Sequence, residues 1–499
     1  MNAWRWRWLG LVVMLLAGGI WLLRSRRSLH YAIHTLPADD HTLALVRQAG
    51  FDTVVQLFSW REIEPTRGQY YWQFPDEVVH GTEYYDLNLV VRLDQHPAWA
   101  NPDAATSNAP PDDLGDYAAF VSTVATRYRG QVNGYIIWNE PNLAEEWDDQ
   151  PPDPAGYVTL LRVAYQAIHT ADPQARVVSA GLAPTNRHDE TAMDDRRFLE
   201  AMYQAGAKDF FDVLGAHPYG FAQPPDDPRG AHDGLNLARV EDLRAIMLKY
   251  DDGDTPVWAT ELGWTIEGRD ETAWQVVSPQ QQADYLVGAL RRIRQQWPWL
   301  QLVAVWNLGS EGPSEWSGYN LLDENGQARP AFHALRTLDK GWRSPSWART
   351  WKAVRQFVLA RWGLPRYPVL ASDTVIHLGD TNFSVPWMPL HRGRIPSTVW
   401  EGVVYVPHPG QRPWRLTLRL MQSNVLDNYV WVNGRRLDPA FPVEDFAGSW
   451  VSFTWRVPPG VLRRGANRVT VTAGRYPPLV QSANFTWDDL QVKDAVLWR

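Results

Sequence analysis

From residue 29 to residue 340 the chain alternates two patterns. Short apolar runs of four to eight residues are followed by longer stretches in which apolar residues recur at helical spacing. The first pattern predicts buried strands and the second amphipathic helices. The expected strands are Leu29–His34, Phe51–Phe58, Leu87–Leu93, Gly134–Trp138, Ala175–Gly181, Phe211–His217, Pro256–Glu261 and Leu302–Asn307. Helices are expected at Asp39–Ala49, Asp113–Tyr128, Pro154–Thr170, Arg196–Ala205, Leu237–Tyr250, Ser278–Gln296 and Pro330–Leu338. The span from Trp60 to Asp86 reads as a long connection. Parallel strands need crossover helices, so eight such units predict a closed (β/α)8 barrel. A doubly wound open sheet is the alternative; no glycine-rich phosphate loop follows any of the strands.

Beyond residue 340 a connector comes before the period changes. Residues 341–372 read as a basic connector with a helix at Ser346–Trp362, on which Trp347, Trp351, Val354, Val358 and Trp362 share a face. That helix packs between domains in one reading and lies on a membrane surface in the other. From residue 373 to 499 the period is two, with runs at Thr398–Val406, Trp414–Met421, Tyr429–Val432, Trp450–Val457, Asn467–Ala473 and Leu490–Trp498. These predict an antiparallel, jelly-roll-like β-sandwich with a tight Asn433-Gly434 hairpin turn.

The first 28 residues stand apart. Trp8–Leu23 is uncharged and lies between Arg5 and Arg7 on one side and Arg24, Arg26 and Arg27 on the other. Sixteen helical residues span about 24 Å, short of a hydrocarbon core of roughly 30 Å. Flanking tryptophans and arginines would cover the difference. We read 1–28 as an uncleaved signal anchor, a transmembrane helix with the rest of the chain outside the cytoplasm. Secretion after signal cleavage is the other reading.

Composition narrows the function. The chain has no cysteine, so thiol nucleophiles, disulfides and cysteine-ligated metals are excluded. The net charge is −8. The two ends and the connector are basic, which leaves residues 29–340 at about −23 and argues against a nucleic-acid partner. Tryptophan is abundant, at 28 residues, and its ring also stacks on the apolar faces of sugars.

The chemistry sits at strand ends. Strand four runs into Trp138-Asn139-Glu140-Pro141, and strand seven into Thr260-Glu261-Leu262-Gly263-Trp264. The C-terminal ends of barrel strands form the face where active sites are built. Strand alternation would put Gly134, Ile136, Trp138 and Glu140 inside the barrel, and likewise Val257, Ala259 and Glu261. Strand six adds His217 and Tyr219, and strand eight Trp306. Two carboxyl groups among aromatics, with no metal-ligand set and no cofactor motif, suit glycosidic bond cleavage. One must be a neutral acid and the other an ionised nucleophile.

Ile137–Pro141 and Ala259–Trp264 resemble the acid/base and nucleophile strands of the clan A retaining glycoside hydrolases. The resemblance covers roughly residues 30–340 and extends to Trp60–Pro65, Gly68–Trp72 and Gln95–Trp99. It is similar to family 39 and to the family 5 cellulases. It implies that Glu140 is the acid/base and Glu261 the nucleophile. Asn139 would bind the sugar 2-hydroxyl, His217 and Tyr219 would orient Glu261 and the sugar, and Trp306 would floor the subsite. Many clan members carry an arginine at the end of strand two; here Arg92 on strand three is the candidate replacement. Trp60 either lines the cleft or packs. The carboxyl-terminal pieces Val430–Gly434, Gly465–Val471 and Phe485–Leu490 resemble galactose-binding-like domains, which makes a carbohydrate-binding module or a structural cap the two readings of the sandwich. An oligo- or polysaccharide is the expected substrate. A non-catalytic glycan-binding protein and a transglycosylase using the same residues are the alternatives.

Overall fold

The apolar runs of the first 340 residues become eight parallel strands. They are β1 (His30–His34), β2 (Thr53–Leu57), β3 (Asn88–Leu93), β4 (Gly134–Ile137), β5 (Arg176–Ser179), β6 (Leu214–Ala216), β7 (Val257–Leu262) and β8 (Leu300–Val305). The structure is a computed structural model. It describes residues 29–340 apart from 37, 39, 269–271 and 310–315, and also 366–369, 376–378, 398–410, 413–421, 428–440, 451–473 and 490–498. The chain divides into two compact units, Met1–Arg67 with Asp86–Lys340, and Gly68–Tyr85 with Gly341–Arg499.

In the first unit the strand order is β5-β4-β3-β2-β1-β8-β7-β6. A parallel bridge between Val178 and Val213 joins the two ends, and Ser179 N donates to Val213 O at 3.1 Å. The sheet is therefore a closed barrel. Its interior is filled by Ala32, Val55, Val90, Ile136, Val178 and Trp258 among others. The outer helices are α1 (Asp40–Gln48), α3 (Leu114–Arg127), α4 (Pro154–Ala171), α5 (Asp195–Gln204), α6 (Val240–Lys249), α7 (Pro279–Gln296) and α8 (Pro330–Thr337). Their starts follow the capping signals. Asp113, Asp153 and Asp194 accept from first-turn amides, and Ser278 and Gln281 form a reciprocal capping box on either side of Pro279.

Helix α2 (Gln73–Tyr85) lies inside the span expected as a connection, and it groups with the second unit. Pro75 in its first turn and Gly81 near its middle obscured the helical pattern. The inward parity expected for β7 is also corrected. Trp258, not Val257 or Ala259, joins the interior cluster. The pairing of β7 with β8 shifts twice, between Val257 and Trp258 and again between Ala259 and Leu262. Such irregularities reset which residues face inward.

The second unit holds two antiparallel sheets. One has β10 (Ile376–Leu378), β17 (Leu490–Trp498), β12 (Trp414–Met421) and β15 (Val451–Val457) in that order, with β9 (Arg366–Pro368) also on β17. The other runs β11 (Val399–Val406), β16 (Gly465–Thr472), β13 (Tyr429–Val432) and β14 (Arg435–Arg436). Leu416, Leu418 and Leu420 of the first sheet share one core with Val404, Val430 and Val469 of the second. That is a sandwich. Asn433 and Gly434 both take positive φ, at 51° and 77°, in the turn from β13 to β14. Strand β9 lies within 341–372, so that stretch is not connector throughout. At three residues, β9 and β10 are too short to display a period of two.

The segment 1–28, the helix at 346–362 and the motif 485–489 lie outside the described residues. Among the described residues no helix is long and apolar enough to cross a membrane.

Candidate active site

The turn after β4 departs from strand geometry at once. Trp138 takes φ 73° and Glu140 φ 36°, both left-handed. Trp138 N donates to Leu93 O at 3.2 Å and Glu140 N to Gly181 O at 3.1 Å, so the turn is laced to the ends of its neighbours. The Trp138 ring is buried edge-on to Tyr117 and Trp147 rather than in the barrel interior, which corrects the alternation expected through Glu140. Left-handed backbone is costly for an indole-bearing residue and persists where hydrogen bonds over-determine it. Here it aims Glu140 across the barrel mouth. On β7 the extra residue against β8 between Ala259 and Leu262 does the same for Glu261.

Both carboxylates meet at one imidazole. His217 Nδ1 lies 2.6 Å from Glu140 Oε1 and 3.7 Å from Glu261 Oε2. Atoms of Glu140, His217 and Glu261 lie within 4.8 Å of one another. The Tyr219 hydroxyl donates to Glu261 Oε2 at 2.7 Å. Arg92 Nη1 donates to Glu261 Oε1 at 3.2 Å and to Asn139 Oδ1 at 3.1 Å. Arg92 Nε lies 2.8 Å from Asp94 Oδ2, an ion pair set off-line for a hydrogen bond. Asn139 Nδ2 donates to Glu146 Oε1 at 3.0 Å. The carboxylate–imidazole trio offers three ligand atoms of a kind that cations accept, but the Arg92 guanidinium already supplies positive charge at Glu261.

Charge is sorted within this cluster. Burial alone would raise the Glu261 carboxyl, but His217, His34, Arg92 and the Tyr219 hydroxyl outweigh it and hold the group below its ordinary value. Burial pushes His34 down to about 4, so its ring is neutral at neutral pH and adds charge only in acid. The cations acting on Glu261 near neutrality are therefore His217 and Arg92. Burial would lower His217, but Glu261 and Glu140 reverse this and raise it. The 2.6 Å contact between His217 and Glu140 must contain a proton, since two bare acceptors would repel at that distance. Burial, then the charge of Glu140, pushes Glu146 up to about 8. Burial likewise raises Asp94 despite Arg92. The site thus holds one carboxylate kept ionised and a second carboxyl sharing a proton with an imidazole.

Seven of the eight residues singled out from the sequence face this cluster or its wall. Arg92 stands where the missing strand-two arginine was expected, directly on Glu261. Trp306 is half-buried, its ring 4.7 Å from that of His34 in an edge-on contact. Trp60 is the correction. It has no exposed surface, stacks on Phe120 at 5.2 Å and donates to Glu64 Oε2 at 2.8 Å, so it packs and does not line the cleft. An apolar ring beside the long hydrophobic helix α3 gains more from burial than from exposure.

Sequence reasoning passed over His34, Asp94, Glu146, Tyr319 and Gly181. His34 ends β1 and Asp94 follows β3, so the strand-end rule applied evenly would have found them. Tyr319 lies 5.5 Å from Tyr219 ring to ring, and Glu146 sits on a single 3-10 turn; neither carries a sequence signal.

No family model matches the chain. It is 31% identical over 156 residues to endo-1,4-beta-xylanase 2 of Claviceps purpurea, a match covering 28% of this chain and 46% of the relative. The chain thus spans just under half the length of the curated relative it matches. Among solved structures it is similar to a family 39 glycoside hydrolase from Bacteroides cellulosilyticus, with 18% identity, TM-score 0.49, and coverage of 90% of this chain and 81% of that one. It is also similar to a GH39 beta-xylosidase from Caulobacter crescentus, with 17% identity, TM-score 0.47, and coverage of 89% and 96%. The barrel assignment rests on the strand topology itself.

Proposed function

We propose that the protein is a retaining glycoside hydrolase that cleaves a β-linked oligo- or polysaccharide through a covalent glycosyl-enzyme. The observation that carries this reading is the Glu140–His217–Glu261 cluster. One ligand atom from each of the three lies within 4.8 Å of the others, so both carboxyl groups belong to one site, and one carboxylate is held ionised. Retaining enzymes keep their two carboxyl groups about 5–5.5 Å apart, whereas inverting ones need roughly 6.5–9.5 Å to admit a water. In the first step a Glu261 oxygen bonds to the anomeric carbon as the glycosidic C–O bond breaks. The departing oxygen takes the proton shared by Glu140 and His217. In the second step Glu140 takes a proton from water, the water oxygen bonds to the anomeric carbon, and Glu261 leaves.

Tyr219 and Arg92 keep the Glu261 charge and orientation. Asn139 would bind the 2-hydroxyl, and Trp306 would floor the subsite. The match to a Claviceps purpurea protein named as an endo-1,4-beta-xylanase supports a β-1,4-linked glycan as substrate. The exposed Trp274, stacked on Phe221 at 5.4 Å just beyond Tyr219, favours a substrate longer than one sugar.

The test is turnover of a panel of aryl β-glycosides by residues 29–499 beside Glu261→Ala and Glu140→Ala. Glu261→Ala is expected to lose at least about 10⁴-fold in kcat, with azide restoring activity and giving the inverted product. Glu140→Ala is expected to lose about 10²–10⁴-fold on poor leaving groups. Equal turnover by wild type and Glu261→Ala would sink the assignment and favour a non-catalytic glycan binder. The uncharged run Trp8–Leu23 supports a membrane anchor with an extracytoplasmic barrel. Full-length chain that stays in the supernatant when membranes are pelleted would argue against it.

A further inference from the structure

The orientation of the Asn139 amide is fixed at both ends. Its Oδ1 accepts from Arg92 Nη1 at 3.1 Å, and its Nδ2 donates to Glu146 Oε1 at 3.0 Å. Arginine offers donors only, so it can face only the oxygen of the amide. An acceptor at the other end completes the assignment. One Nδ2 hydrogen goes to Glu146 and the second is left for another acceptor. We infer that Glu146 is a positioning residue that holds the Asn139 amide with its second N–H toward the 2-hydroxyl of the bound sugar. The inference rests on the glycosidase reading.

Glu146 is itself held in place. It ends the single turn Ala144–Glu146, and its carbonyl accepts from Trp138 Nε1 at 3.0 Å. The same strained turn that aims Glu140 therefore anchors the residue that orients Asn139. The groups acting on the Glu146 carboxyl are Glu140, Arg92, Asp94 and Asn139. Burial and the Glu140 charge push it up to about 8, so it is uncharged at neutral pH. A neutral carboxyl still accepts from Asn139, and it places no second negative charge beside Glu140. Glutamine has the same shape, the same acceptor and the same lack of charge. Contacts to the 2-hydroxyl strengthen in the transition state, so losing the positioning group lowers kcat more than it raises KM.

The experiment compares wild type, Glu146→Ala, Glu146→Gln and Asn139→Ala on 4-nitrophenyl β-xyloside, β-glucoside and their 2-deoxy counterparts at pH 6.5. On the 2-hydroxy substrates Glu146→Ala should lose about 10–100-fold in kcat, the scale of a misplaced binding group. Glu146→Gln should recover most of that loss. On the 2-deoxy substrates Glu146→Ala should lose less than about threefold, because the contact it supports is absent. If Glu146→Ala slows both substrate types equally while Asn139→Ala distinguishes them, the inference is wrong and the glycosidase reading stands. Equal losses for Glu146→Gln and Glu146→Ala on the 2-hydroxy substrates would also overturn it. If the wild type turns over none of the panel or a xylan, the glycosidase reading falls, and the inference with it.

Discussion

Tyr219 shows how single side chains set the charge at the barrel mouth. Its hydroxyl is one of the groups that keep Glu261 below the ordinary carboxylate value, against burial that pushes it up. In the proposed reaction Glu261 acts ionised, so activity is lost as pH falls through its pKa, and the acid limb should lie below the range of an ordinary glutamate. Tyr219→Phe removes one lowering influence and leaves the burial. Its pH profile of kcat/KM should show the acid limb moved to higher pH, with roughly a tenfold lower rate. An unmoved limb would mean that the hydroxyl does not govern Glu261. At this scale the sequence was informative where a side chain ends a strand: Glu140, His217 and Glu261 were all legible. Trp60 was not, because a tryptophan beside a cleft motif and one under a helix look alike until packing is known. Glu146 was not legible either, since its role comes from a hydrogen bond to Asn139 across a turn.

Elements place these groups through close approaches that only some residues permit. Gly181, just past β5, is such a point. A Cβ there would come within 2.1 Å of His217 Cδ2 and 2.6 Å of Thr260 Oγ1. The His217 ring is enclosed and bonded to Glu140, so it has no room to yield. Gly181→Ala should therefore lose on the order of 10²-fold in kcat/KM and about 1–3 kcal/mol in stability. Parallel rate and urea-denaturation measurements check both, and wild-type values for the two would show that the ring can move. Strand existence and order were legible from the apolar runs, because each run is too short and too apolar for a surface helix. Facing was not. The register shifts of β7 and the left-handed turn after β4 are backbone events that no alternation of residue types encodes. Helix α2 was missed for the converse reason, since Pro75 and Gly81 are local signals that its surroundings override.

Over the whole molecule, the last helix expected of the barrel ends just before the two units divide at Lys340, whereas the change to period two comes later, at residue 373. The exception is residues 68–85, which group with the sandwich although they lie between barrel strands. The barrel segment carries the acidic excess of the chain, and within it the site sets Arg92 and a raised His217 against Glu261. The proposed reaction depends on that balance and on both carboxyl groups meeting at His217. The most direct test is the anomeric configuration of the first-formed product. Proton NMR, recorded within the first minutes of hydrolysis of the aryl β-glycoside that residues 29–499 turn over best, reads it before mutarotation. The proposed double displacement predicts the β-anomer first, with the α-anomer appearing only as the sugar equilibrates. An α-anomer formed first would mean direct displacement by water, and Glu261 would not be a nucleophile.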